Sequence, residues 1–149
     1  MRIRGLVAVL AVAGCGSPPC STECPAVGGT YSMTYSRTSA STVSFCPAPL
    51  TLPATLTFTQ SKADLTTTVG MVSLRGQVSA NGDFTLSGED DSRGAFVVTF
   101  SGKLTGPGLV HGVLSENMSS DPQQQSNGGR TEAFADCSVD TVFDGVRPL

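Results

Sequence analysis

The only histidine of the chain, His111, sits between Val110 and Gly112. An imidazole commonly serves as general base for a serine nucleophile, held in its tautomer by a carboxylate. That chemistry needs a serine presented on a tight turn, and the sequence has no Gly-x-Ser-x-Gly or comparable nucleophile motif. A single histidine also rules out a histidine-rich metal site. His111 therefore reads as a surface side chain, or one at the mouth of the fold. The densest acidic run is Glu89-Asp90-Asp91. Its spacing is not that of a calcium loop, and neighbouring carboxylates in a turn are ordinarily just solvated. Nothing singles out the opposed carboxylate pair that glycoside hydrolysis needs. Cys20 and Cys24 have a loose zinc-ligand spacing, but Cys46 and Cys137 lie far from them and from each other. These patterns assign no catalytic residue, no metal and no cofactor, and the chain is expected not to be an enzyme.

The elements that must carry these residues are constrained by composition. The 149 residues are enough for one core of ordinary size. With 17 Gly, 9 Pro and only 14% charged residues, the chain is turn-rich and lacks the Glu, Lys and Arg that coat helices. A hydrophobic fraction of 39% supports a folded domain. The formal charge of −3 argues against nucleic acid as a partner, because phosphate binding needs a basic face.

The first residues read as a processing signal. Arg2 and Arg4 precede an apolar run, Gly5 to Ala13, too short to span a bilayer. The run leaves through Val12-Ala13-Gly14-Cys15, which resembles the lipobox of bacterial lipoproteins: an aliphatic residue and two small residues before an invariant cysteine. Membership in that family implies a signal peptide over 1–14, diacylglycerol on the Cys15 thiol and acylation of its new amino group. The protein would then be held to an envelope membrane by lipid. Gly16, rather than Asp, after the lipidated cysteine points to the outer membrane. The competing reading is ordinary secretory cleavage after Ala11-Val12-Ala13. Loss of Arg2 and Arg4 leaves 7 basic against 12 acidic residues, a formal charge of −5. An acidic domain of that kind is repelled by anionic lipid, which leaves the anchoring to the acyl chains. Residues 15–28, rich in Pro, Ser and Gly, read as a tether whose far end is stapled by its cysteines.

From Gly29 the pattern alternates with period two. Tyr31, Met33 and Tyr35 interleave with Thr and Ser, and Leu56 and Phe58 follow in the same manner. Leu65 to Val69, Val72 to Val78, Phe84 to Leu86, Phe96 to Phe100, Leu109 to Ser115 and Val139 to Val146 complete about eight short strands. Asn81-Gly82 is the strongest hairpin signal among the turns. Arg37 to Pro53 and Asn117 to Gly129 read as long connections. Asn117-Met118-Ser119 matches a glycosylation pattern that carries no meaning in a bacterial lipoprotein.

Sequential hairpins close most simply as a meander, which predicts an all-β fold: a single antiparallel up-and-down barrel over 29–149, with a β-sandwich as the alternative. Gly29-Thr30-Tyr31 and Arg147 are similar to the Gly-x-Trp opening and the barrel-closing basic residue of lipocalins, and avidin-like barrels share the architecture. The analogy carries over no ligand.

With Cys15 taken by lipid, four cysteines remain for two disulfides. In such a barrel the first strand pairs with the last. This puts Cys46 and Cys137 at one end and Cys20 and Cys24 at the other. Bridged Cα atoms must lie within ~7 Å, so the expected pairs are Cys46–Cys137 and Cys20–Cys24. The expected function is a structural or interaction role at the envelope, with another envelope protein as partner. The alternative is a barrel that binds a small apolar ligand beside Tyr31, Tyr35, Phe96 and Phe100. A hydrolase would need polar groups converging on His111.

Overall fold

The computed structural model describes residues 17–40, 48–90, 95–119 and 137–148. Eight strands follow in chain order: β1 Gly29–Ala40, β2 Thr55–Ser61, β3 Asp64–Val69, β4 Val72–Val78, β5 Asp83–Asp90, β6 Ala95–Gly106, β7 Leu109–Ser119 and β8 Cys137–Val146. Each pairs antiparallel with its neighbours, and β8 returns to β1, from Ser32↔Val146 to Ala40↔Val139, closing the barrel. The closed meander is the predicted fold, and the sandwich alternative falls with it.

Alternation drives the closure. Leu56 and Phe58 of β2, Val72 and Leu74 of β4 and Phe84 and Leu86 of β5 are buried, whereas Thr57, Ser73 and Thr85 between them face water. An apolar interior with a Ser/Thr-rich outer wall is the reverse of what a lipid-facing barrel presents.

The interior is filled by aromatic rings. Phe58 meets Tyr31, Phe84 and Phe100 edge-on at centroid distances of 5.7, 5.7 and 5.6 Å, and Phe100 stacks on Phe143 at 4.1 Å. Room for these rings comes from Gly102 and Gly112, which face each other across β6 and β7. A Cβ on Gly112 would lie 2.6 Å from the Phe143 ring and 2.1 Å from the Ser101 carbonyl. Any larger residue there would displace both backbone and ring.

One end of the barrel carries the β2–β3, β4–β5 and β6–β7 turns. Residues 17–28, read from sequence as part of a tether, are packed onto this end from Pro19 onward. Pro19 bridges Ser79, the Cys20 N–H donates to Val78 O at 3.0 Å, and Val27 is fully buried. We call this the closed end. Here Tyr31 donates its hydroxyl to Val27 O at 2.8 Å, and Arg147 donates to Gly28 O with its guanidinium 5.5 Å from the Tyr31 ring. The two features that resemble lipocalins thus meet in space. Gly29 has φ 135°, and a Cβ there would lie 2.5 Å from Arg147 Cδ. This position accepts glycine for both reasons.

Several boundaries differ from the sequence reading. β1 runs on to Ala40, β5 to Asp90 and β7 to Ser119, into stretches read as connections or turns. β8 starts at Cys137 rather than Val139. The Asn81-Gly82 turn is wider than a two-residue hairpin: Ser79 N donates to Asp83 O at 2.8 Å, and only Gly82, at φ 86°, has positive φ. Asn81 contributes through its side chain instead, with Nδ2 donating to Asp83 Oδ2 at 2.6 Å.

Candidate functional site

Register places a row of charged side chains across four strands on the outer wall. Asp83 of β5 lies opposite Lys103 of β6, Lys103 opposite His111 of β7, and His111 opposite Asp144 of β8. Lys103 Nζ is 3.2 Å from Asp83, and His111 Nδ1 is 2.7 Å from Asp144 Oδ1. All four are solvent-exposed, so each pair contributes only ~0–1 kcal/mol. The outward neighbours of His111 along β7 are Leu109 and Val113. Among the described residues no hydroxyl hydrogen-bonds the imidazole. This surface position is one of the two the sequence suggested. A second polar group forms at the β1 bulge, where Asp140 accepts from Ser115 at 2.6 Å and from Ser39 at 3.1 Å.

Inside, three polar side chains face the lumen toward the end opposite the closed one, which we call the far end. Glu116 is buried, and its Oε2 accepts the Leu50 N–H at 2.8 Å, fixing the segment that enters β2. Thr141, opposite Leu114, is 2% exposed. The hydroxyls of Thr141 and Tyr35 are buried and find no hydrogen-bond partner among the described residues. Leaving such a group unpaired costs ~1–3 kcal/mol, and sites of this kind commonly hold water or part of a ligand. Sequence reading missed Glu116 and Thr141. Glu116 lies in phase with Val110 and Leu114, and extending β7 by one residue beyond Ser115 would have shown its inward position.

Tyr35 is pushed up to about 12 by burial alone. Tyr31 is raised as well, by burial, with the Arg147 charge pulling the other way. A phenol raised in the folded state keeps a proton that the unfolded chain has already released above its ordinary value of 10.0. The contribution is intact below pH 10 and is lost as pH rises toward 12, with a slope of at most ~1.4 kcal/mol per unit for each group. The two tyrosines and the absence of tryptophan make tyrosinate absorbance a clean measurement. Both phenols are expected to titrate late in the folded chain and at the ordinary value in denaturant. A normal titration in both states would contradict the burial.

A groove of about 830 Å³ opens on the outer wall between β2, β3 and β4, because β2 and β3 pair only from Thr59↔Thr66 to Ser61↔Asp64. Threonines line it, including Thr55, Thr57, Thr66 and Thr68, with Arg75 at one side.

The remaining sequence candidates separate. Glu89 faces water, whereas Asp90 takes the inward phase of β5; Asp91 lies outside the described residues. Among the described residues no group of three or more metal-ligating side chains comes together. Cys20 and Cys24 form a disulfide with Cα atoms 5.4 Å apart, not a zinc site. Cys137 is also disulfide-bonded. Cys15 and Cys46 lie outside the described residues. Tyr31, Phe96 and Phe100 belong to the packed core, and Tyr35 packs against it.

The described residues thus form a small closed β-barrel with an aromatic-packed core and a polar outer wall. No protein-family model, curated protein or solved structure matches the chain.

Proposed function

We propose that the protein is a lipid-anchored component of a bacterial envelope, and that its barrel serves as an interaction module rather than a carrier. The anchor rests on Val12-Ala13-Gly14-Cys15. The observation that carries the second half is the aromatic filling: Tyr31, Phe58, Phe100 and Phe143 are fully buried against one another where a carrier would keep its cavity. Recognition then falls to the outer wall, where the Asp83–Lys103–His111–Asp144 row and the threonine-lined groove offer polar contacts to an envelope protein. A Cys15→Ser chain is expected to leave the membrane fraction, while the parent co-sediments with outer-membrane markers. A parent whose mature mass begins at Gly14 and lacks lipid would overturn the anchor.

A second reading, binding of a small ligand, has one observation in its favour. The buried hydroxyls of Tyr35 and Thr141 form a polar patch beside Glu116 that an otherwise apolar molecule with one polar group would satisfy. Native mass spectrometry of the delipidated protein separates the two readings. An interaction module shows the bare mass; a carrier retains a small molecule that Thr141→Val releases.

A further inference from the structure

We infer that the closed end of the barrel rests on the bilayer, with the tip of the β6–β7 hairpin seated at the boundary between headgroups and acyl chains. The inference rests on acylation of Cys15 as proposed above. Pro19 lies four positions after Cys15 and is already fixed to Ser79 at the closed end. An extended chain covers at most ~3.6 Å per residue, so the lipidated cysteine lies within ~14 Å of that end. β6 alone has 12 residues. At ~3.3 Å each and with the usual barrel tilt, the far end stands roughly 30 Å away. A short leash therefore selects the end that can touch lipid.

The surface of that end fits the assignment. Leu109 and Val146 are paired neighbours on its rim, 43% and 54% exposed, next to Pro107. They are two of the four large hydrophobic side chains exposed among the described residues, and only Met71, at 93%, stands at the far end. The next outward row above Leu109 and Val146 is His111 and Asp144, continued by Lys103. Outward residues of one strand are ~7 Å apart. With the same tilt the apolar lip sinks by ~5 Å before the next charges on these strands meet the headgroups, where Lys62 of the β2–β3 turn and Glu23 of the segment packed on this end also lie. The occupant of the lip is lipid rather than protein because the anchor holds it against the bilayer. Two partly exposed side chains orient a protein already held by acyl chains and would not bind it unaided.

Because the chain has no tryptophan, single reporters identify the buried end. Leu109→Trp, Val146→Trp and Met71→Trp are each prepared in the acylated full-length chain and reconstituted into phosphatidylcholine vesicles with brominated acyl chains. Indoles at 109 and 146 are expected to shift to the blue and lose most of their emission, while the indole at 71 keeps both its wavelength and its intensity. Vesicle-bound protein in which position 71 is quenched, or in which none of the three is, overturns the orientation and leaves the anchor standing. Wild-type protein of unlipidated mass that fails to float with the vesicles removes the anchor and the orientation together.

Discussion

Phe100→Ala is expected to cost ~3–5 kcal/mol of stability, a large part of the ~5–15 kcal/mol typical of a whole domain. Phe100 is fully buried and touches Phe58, Phe84 and Phe143, so its removal takes one ring out of three pairs. Relaxation cannot refill the space easily. The strands around it are held by barrel hydrogen bonds on both sides, and the facing Gly102 and Gly112 have no side chains to move in. Denaturant unfolding of the variant measures the loss. Met71→Ala, at a nearly free side chain, is the control and should change stability by less than ~0.5 kcal/mol. A Phe100 penalty no larger than that of the control would mean that the lumen is not packed as described, and the carrier reading would replace the interaction module.

Paired replacement of Cys46 and Cys137 by Ser is expected to have the next largest effect. Cys137 is disulfide-bonded, and Cys20 and Cys24 are occupied by each other. With Cys46 as its partner the bridge encloses a loop of 91 residues by sequence separation. The chain-entropy model assigns such a loop ~4–5 kcal/mol, and the Cys20–Cys24 loop ~2 kcal/mol at most. Cys20→Ser/Cys24→Ser should therefore melt much closer to the parent than Cys46→Ser/Cys137→Ser. Non-reducing peptide mapping decides the pairing. A peptide joining Cys15 to Cys137 would refute both this bridge and lipidation of Cys15.

The fold was legible because the alternation of apolar with Ser and Thr is nearly unbroken at Tyr31-Ser32-Met33, Leu56-Thr57-Phe58 and Phe84-Thr85-Leu86. Strand ends were missed where the inward position is not apolar. Gly88 and Asp90 continue the inward phase of β5, and Glu116 continues that of β7, yet each reads as a turn residue when only hydrophobicity is followed. Residues 19–28 read as a tether in sequence for a related reason. Their attachments run through backbone and side-chain hydrogen bonds, such as Gly28 N to Gln60 Oε1 at 2.8 Å, and a single buried valine, Val27, leaves no periodic trace. The charged row on the outer wall could not be read at all. Asp83, Lys103, His111 and Asp144 become neighbours only once the register of four strands is fixed, and local sequence does not specify register across hairpins. The alternation marks Tyr35 as a candidate for its ring, but the orphaned state of its hydroxyl depends on what surrounds it in three dimensions.

The seam between β1 and β8 has a consequence for how the chain reaches its native state. Strands β2 to β7 are joined by hairpins, so each can find its partner locally. β1 has to wait for residues more than a hundred positions later: Thr34 is hydrogen-bonded to Asp144, and Arg147 reaches back to Gly28 and Ala26 across 119 and 121 residues. Non-local closure of this kind folds slowly, on the order of milliseconds to seconds. Until β8 arrives, β1 and β7 both present unpaired edges to other chains. A nascent molecule is therefore vulnerable to edge-to-edge association until the ten residues of β8 are in place, and that strand acts as the latch that ends the exposure.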